Sequence, residues 1–256
     1  MSFLERYAAD GWLTIGGIFE PAFIDALRAE FENQRETLLG QREDVRAYLN
    51  VGDERLMLPV QLKGPFLDPR FYANPLLLAM LRNLIGGDIL IDNITLVLAR
   101  SAASEQRLHR DHPELFPEHE AMNAQLPPYA ITAVIPLIDL NEESGTTKLF
   151  TGTHRGAEPE QAELPYVRRG DCFVMDYRLR HQGTANRSAG DRPILYVVYS
   201  RPWFTDITNL RRQARINIDR ADIEQIPKEH RTLFRRLAAK GALDRSEREL
   251  FGKSNQ

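Results

Sequence analysis

Two histidines and one aspartate in this sequence have the residue types and spacing of a metal-binding site. His109 and Asp111 are two residues apart, so their side chains leave the same face of an extended strand and can bind one ion. His181 follows an apolar run that predicts a strand, and antiparallel strands can bring it beside the first pair. Two imidazoles and one carboxylate leave three octahedral positions open, as in non-haem Fe(II) oxygenases.

A fourth residue, Arg192, helps to distinguish between the reactions that such a metal site could perform. It lies at the entrance to the predicted strand Pro193 to Tyr199. A guanidinium fixed there can bind the distal carboxylate of a dicarboxylic cosubstrate through two parallel hydrogen bonds. Oxygenases that consume 2-oxoglutarate need this anchor, whereas zinc hydrolases do not. The alternative is a cupin-like isomerase or hydrolase that uses the same three ligands with zinc or manganese and gives Arg192 no task.

Short strands are the elements that must position these residues. Runs of β-branched and aromatic residues, separated by Gly, Pro, Asn or Asp, predict strands at 94–99, 131–135, 147–150, 172–175 and 194–199. Too little helix lies between them for a parallel sheet, so an antiparallel sandwich or barrel is predicted. The long segments 40–66 and 112–128 show no sustained period, and we expect them to cover the site.

Helices are predicted on both sides of these strands. One begins near Pro21, a second is capped by Asn74 and ends at Gly86, and helical spacing returns after Pro202. No repeat or linker divides the chain. We therefore expect one domain over residues 1–256, with helical flanks at about 1–88 and 205–256 and a β core at about 89–204.

The composition excludes several classes of protein. With 43% hydrophobic and 27% charged residues, the 256-residue chain is neither disordered nor collagen-like nor a coiled coil. A net charge of −3 gives no reason to expect nucleic-acid binding, and no apolar run is long enough to span a membrane. The N-terminus lacks the features of a signal peptide, and the single Cys172 lies in an apolar run. These features predict a cytoplasmic protein with a buried, inert thiol.

Several motifs together resemble the phytanoyl-CoA dioxygenase-like family of Fe(II)/2-oxoglutarate oxygenases. They are spread over most of the chain: Asp10-Gly11-Trp12, His109-Arg110-Asp111, Asn141-Glu142-Glu143-Ser144-Gly145, Thr151-Gly152-Thr153-His154, the stretch from His181 through Gly183, Asn186 and Ser188 to Arg192, and Tyr199 to Phe204. Thr151 and Thr153 depart from the Pro and Ser that are usual in the family. Gly183 stands where some members carry a hydroxyl that assists the cosubstrate.

The resemblance implies a mainly β fold, a double-stranded β-helix (jelly roll, cupin-like) with flanking N- and C-terminal α-helices. It implies Fe(II) bound by His109, Asp111 and His181, with Arg192 on the C5 carboxylate of 2-oxoglutarate. Gln106 and Thr147 are further candidates for holding the cosubstrate. The implied reaction uses O2 to hydroxylate, or otherwise oxidise, an unactivated C–H bond of a small molecule and releases succinate and CO2; desaturation and ring formation are the alternatives to hydroxylation. Retention of Asp111 argues against a halogenase.

No motif identifies the substrate or the oligomeric state. Residues 205–256 contain 12 Lys and Arg against 8 Asp and Glu. This basic segment points to an anionic or carrier-linked substrate, and the alternative is an ordinary solvated helical face.

Overall fold

The computed structural model describes residues 2–41, 48–209 and 214–237. Antiparallel strands with flanking helices confirm the predicted fold class. The strands are β1 (Trp12–Ile15), β2 (Leu49–Gly52), β3 (Arg55–Leu58), β4 (Leu90–Ala99), β5 (Ala130–Pro136), β6 (Thr147–Phe150), β7 (Ala162–Glu163), β8 (Cys172–Asp176), β9 (His181–Gly183) and β10 (Arg192–Ser200). The α-helices are α1 (Phe3–Asp10), α2 (Pro21–Gly40), α3 (Pro69–Tyr72), α4 (Pro75–Ile85), α5 (Glu120–Gln125) and α6 (Arg220–Ile223). Three 3₁₀ helices span Gly64–Leu67, Thr153–Arg155 and Lys228–Phe234.

Two sheets form the body of the molecule. The large sheet has seven strands in the order β1-β8-β5-β10-β4-β3-β2, and the small sheet has three in the order β7-β6-β9. Alternate residues of β5 face opposite sides, as a strand requires. Ile131 and Ala133 belong to the core shared with the helices, whereas Val134 packs with Leu149 and Phe173 in a second core cluster. The large sheet therefore has a helix-covered face and a face toward the small sheet.

Helices α2 and α4 begin where the sequence predicts, and α4 also ends at the predicted residue, whereas α1 was not predicted. Pro21 is the first residue of α2, and its apolar positions 23, 24, 27, 31 and 38 are all buried. The Asn74 side chain accepts hydrogen bonds from the backbone N–H groups of Leu76 and Leu77, which caps α4, and Gly86 ends that helix. Within the described residues, no helix is long and apolar enough to cross a membrane.

The flanks differ from the expected all-helical segments. Strand β1 extends the large sheet beside β8, and β2 and β3 form a hairpin where the sequence suggested loops. These strands are four residues long, too short to show a sustained period. After Pro202 the described residues contain α6, one 3₁₀ helix and helical residues at 235–237. The spacing of Leu233, Leu237 and Gly241 also predicts a helix that closes at Gly241, a residue outside the described part of the chain.

Cys172 is fully buried on β8, and burial raises the pKa of its thiol to about 12. The folded protein should therefore carry almost no thiolate at pH 8, since the pKa lies about four units higher. We expect no reaction with Ellman's reagent over an hour in buffer, and one reactive thiol per chain in guanidinium chloride. Rapid reaction without denaturant would show that β8 opens readily.

Candidate metal centre

Backbone pairing places the two histidines side by side. The His109 N–H donates to the His181 carbonyl at 3.0 Å, and the His181 N–H donates to the His109 carbonyl at 2.9 Å. The Gln106 N–H donates to the Gly183 carbonyl at 2.9 Å, so residues 106–109 run along β9 as an extra strand-like segment. The two imidazole rings consequently lie 4.4 Å apart between centroids.

Hydrogen bonds to backbone carbonyls orient both imidazoles. Nδ1 of His109 lies 2.9 Å from the Arg107 carbonyl oxygen, and Nδ1 of His181 lies 3.0 Å from that of Leu179. Because a carbonyl oxygen accepts and cannot donate, each Nδ1 carries the hydrogen and each Nε2 keeps a free lone pair. This arrangement is typical of metal-binding histidines.

Asp111 completes a set of ligand atoms that fits one metal ion. Its Oδ1 lies 3.5 Å from Nε2 of His181, and one ligand atom from each of His109, Asp111 and His181 lies within 4.8 Å of the other two. Burial and the neighbouring His181 lower the pKa of His109, which favours the neutral form that metals bind. Burial also opposes protonation of His181, but the Asp111 carboxylate outweighs it and raises the pKa. The three predicted ligands therefore converge.

A short network holds the backbone of Asp111. Its carbonyl oxygen accepts a hydrogen bond from Thr208 Oγ1 at 3.2 Å and another from the Asn209 side-chain amide. Both donors also bond the buried Asp206, which accepts from the Tyr177 hydroxyl at 2.6 Å. No motif marked residues 206–209, since these contacts are distant in sequence.

The ligands face an internal cavity of about 550 Å³. Gln106 and Thr147 also line it, as does the β2–β3 hairpin through Val51, Gly52, Asp53 and Met57. Part of segment 40–66, which the sequence predicts to cover the site, therefore lines the cavity. Residues 42–47 lie outside the described part of the chain. No residue of segment 112–128 lines this cavity; the segment borders a separate pocket of about 130 Å³, and its first residues, His112 and Pro113, share another pocket with His109.

Arg192 is buried beside this cavity and is not among its lining residues. Its Nη1 donates to the Ser144 carbonyl at 2.7 Å and its Nη2 to the Thr184 carbonyl at 3.0 Å. The Nε–H is buried and has no hydrogen-bond partner in the described part of the chain. Burial, together with the nearby Arg55, lowers the pKa of this guanidinium to about 10, so it stays charged at neutral pH.

Arg55 on β3 is a second buried guanidinium that sequence reasoning missed. Its Nη2 donates to the carbonyls of Ser104 at 2.9 Å and Thr184 at 3.1 Å, and its Nε also lacks a partner within the described ranges. Among the described residues, no carboxylate forms an ion pair with Arg55 or Arg192. Two buried like charges that share the Thr184 carbonyl are unfavourable alone, so the site fits an anionic ligand. Arg55 lies in a charged, aperiodic segment in which no local signal distinguishes it.

Gln106 and Thr147 have partners within the protein. The Gln106 amide donates to the Val51 carbonyl at 2.7 Å and accepts from the Gly183 N–H at 2.9 Å. The Thr147 hydroxyl lies 3.0 Å from the Tyr196 hydroxyl. A Cβ on Gly183 would lie 2.6 Å from Gln106 Oε1 and 2.8 Å from Arg55 Nη1. Glycine stands here because these two side chains occupy the space of a larger residue.

The fold is a jelly roll, and it brings together His109, Asp111 and His181, which could hold one metal ion. A sequence profile described as phytanoyl-CoA dioxygenase (PhyH) matches residues 7–194, and the chain belongs to this family. The predicted family is thereby confirmed. Fe(II), 2-oxoglutarate and O2, the predicted cofactors, are those that the family uses.

Curated relatives include fungal dioxygenases. The dioxygenase af480 of Aspergillus fumigatus is 28% identical over 146 residues, covering 54% of this chain and 46% of the relative. The dioxygenase trt7 of Aspergillus terreus is 24% identical over 194 residues, covering 72% of this chain and 67% of the relative. The chain thus spans about half the length of af480.

Solved structures share the fold at low identity. HygX from Streptomyces hygroscopicus, with nickel, 2-oxoglutarate and hygromycin B bound, gives a TM-score of 0.63 at 17% identity, covering 86% of this chain and 98% of HygX. The 2-oxoglutarate-dependent epimerase SnoN from nogalamycin biosynthesis gives a TM-score of 0.58 at 20% identity, covering 77% of this chain and 79% of SnoN.

Removing either histidine ligand should abolish metal binding. Loss of groups that merely orient ligands costs about 10–100-fold in affinity, so His109→Ala and His181→Ala should each cost at least about 100-fold. Anaerobic Co(II) titration, followed by its visible absorption, measures this. The exposed His119→Ala is the control and should bind like wild type. Unchanged binding in His181→Ala would place the metal elsewhere.

Gly183→Ala should disturb the wall between Gln106 and Arg55, because the new methyl group overlaps both side chains. We expect 2-oxoglutarate binding to weaken at least about tenfold, as judged by calorimetry on the Zn(II)-loaded protein. Gly190→Ala is the matched control, since no atom of the described residues lies within 4 Å of the place its Cβ would take. Equal affinity in the two variants would contradict this role of Gly183.

Proposed function

We propose that this chain is an Fe(II)/2-oxoglutarate-dependent oxygenase that oxidises a C–H bond of a small molecule and releases succinate and CO2. One observation carries the proposal: a three-ligand metal centre lies beside two buried guanidinium groups that have no carboxylate partner among the described residues. 2-Oxoglutarate is a dianion that can both chelate a metal and reach a guanidinium. Family membership supports the same reaction class.

Each side chain has a definite task in this proposal. His109, Asp111 and His181 hold the metal, and the Arg107 and Leu179 carbonyls keep both imidazoles turned toward it. When bound, iron and 2-oxoglutarate supply the oxidising chemistry.

The cosubstrate would be held by donor groups that the described residues leave unsatisfied. Arg192 offers its unpartnered Nε–H to the distal carboxylate. Thr147, whose hydroxyl already lies 3.0 Å from that of Tyr196, is the second candidate there. Arg55 supplies the second positive charge, and this charge also contributes to the lowered pKa of His109. Gln106 forms hydrogen bonds with the backbone of Gly183 and Val51 and so fixes the wall of the cavity.

Hydroxylation is the reaction that we favour. The candidate ligand set retains the Asp111 carboxylate, which argues against a halogenase. SnoN is a 2-oxoglutarate-dependent epimerase on a similar fold, so the fold alone does not decide between hydroxylation and another oxidation. The position of the substrate C–H bond relative to the metal decides it.

Anaerobic addition of Fe(II) and 2-oxoglutarate should produce the weak visible charge-transfer band of the chelated complex. Because Arg192 supplies a charged, forked donor, Arg192→Ala should raise the 2-oxoglutarate concentration for half-saturation at least about tenfold. Arg192→Lys should restore only part of the lost 2-oxoglutarate affinity, since lysine keeps the positive charge but lacks the forked guanidinium group. The exposed Arg220→Ala is the control and should match wild type.

The same titration tests the alternative function. Tight zinc binding with no charge-transfer band, and activity that survives Arg192→Ala, would overturn the oxygenase proposal. The cupin-like isomerase or hydrolase, with the same three ligands and no 2-oxoglutarate, would then take its place.

A further inference from the structure

The cavity continues past the metal ligands, away from Arg192. Asn93 of β4 pairs with Val198 of β10, and Val198 pairs with Thr132 of β5, so these residues form one row across three strands. All three line the cavity. Arg192 and Val198 are separated by about 20 Å along β10, at about 3.3 Å per residue. The row therefore lies at the end of the cavity opposite the cosubstrate anchor.

Hydroxyl groups at this end have no partner among the described residues. Thr132 is 1% exposed, and its Oγ1 is buried without a hydrogen bond there. Thr95, 3% exposed and one row nearer the anchor, also lines the cavity and makes no side-chain hydrogen bond to any described residue. The buried Thr132 hydroxyl is unfavourable without a partner unless a ligand or water satisfies it. The Thr95 hydroxyl, which makes no side-chain hydrogen bond to a described residue, is a second group to which a ligand can hydrogen-bond.

Asn93 adds an acceptor to the two hydroxyls. Its side-chain amide donates to Asp92 Oδ2 at 3.2 Å, which fixes the NH2 group toward that carboxylate and leaves Oδ1 available. Val97 and Val198 lie among these polar residues and supply apolar contacts. The combination suits an apolar body that carries hydroxyl groups.

Charge at this end disfavours an anion. Among the described lining residues, Lys is absent, and Arg107 is an exposed side chain before the metal-binding histidine. Asp206, which lines the cavity, already accepts hydrogen bonds from Tyr177, Thr208 and Asn209. A carboxylate or phosphate of the substrate would meet this negative charge, and the nearby cation Arg215 is already paired with Asp92 at 2.8 Å.

We infer that this end binds a neutral, hydroxyl-bearing part of the substrate through Thr132, Thr95 and Asn93. The inference rests on the proposed function, in which 2-oxoglutarate binds near the opposite end of the cavity. It departs from the anionic substrate that the basic C-terminal segment suggested. An anionic handle would have to remain outside the cavity.

Ligand-observed NMR with simple probes tests this inference on Zn(II)-loaded protein with 2-oxoglutarate. The probes are cyclohexanol, cyclohexanecarboxylate and cyclohexylammonium, which share a ring and differ in charge. We expect cyclohexanol to bind most tightly. Thr132→Val removes the hydroxyl and keeps the shape, so cyclohexanol affinity should fall about three- to tenfold. Thr95→Val should act in the same direction.

Controls separate this inference from the proposed function. Thr14→Val, on the exposed face of β1, should leave cyclohexanol binding unchanged. The Fe(II)/2-oxoglutarate charge-transfer titration should be unaffected by Thr132→Val. Preferred binding of the carboxylate or ammonium probe, or equal cyclohexanol binding in wild type, Thr132→Val and Thr95→Val, would overturn the inference. If cyclohexanol binding depends on Thr132 but no charge-transfer band forms in wild type, the proposed function fails and the hydroxyl site stands.

Discussion

The backbone pairing of His109 with His181 is the constraint on which the site depends. Two reciprocal hydrogen bonds fix the register between segment 106–109 and β9. A slip by one residue would turn each side chain to the opposite face, and both imidazoles would leave the cavity. The same register brings Gln106 to Gly183 and so builds the wall next to Arg55. Metal ligation and cosubstrate binding are thus set by one piece of sheet geometry.

Electrostatics divides the cavity into unlike parts. Arg55 and Arg192 are buried beside the cavity without lining it, and neither has a counter-ion among the described residues. Their burial is costly in the free protein, and an anion that reaches both relieves the cost. Because the carbonyls of Ser144 and Thr184 already hold the guanidinium groups, little ordering is left for binding. The uncompensated charge of the free site is therefore a source of selectivity for a dianion.

Local sequence signals predicted the centre of the molecule better than its edges. The long strands β4, β5 and β10 have clear apolar runs, and His109, Asp111 and His181 follow from spacing and resemblance. Strands β1 to β3 are too short to show a local period, and β1 and β3 also pair with strands far away in the sequence. Arg55 and Asp206 were missed for the same reason. Their roles arise from burial beside residues that only the fold brings near.

The inward-facing residues of β4, β5 and β10 that we infer to bind substrate lie on different segments from the candidate metal ligands. Inward residues of these strands form successive rows, from the Arg192 end to the row of Asn93, Val198 and Thr132. The metal ligands come from a different part of the fold, segment 109–111 and β9. A substitution in the distant row can therefore change which molecule is bound without moving a ligand or a guanidinium. A single metal centre on this fold can in this way serve substrates of different chemistry.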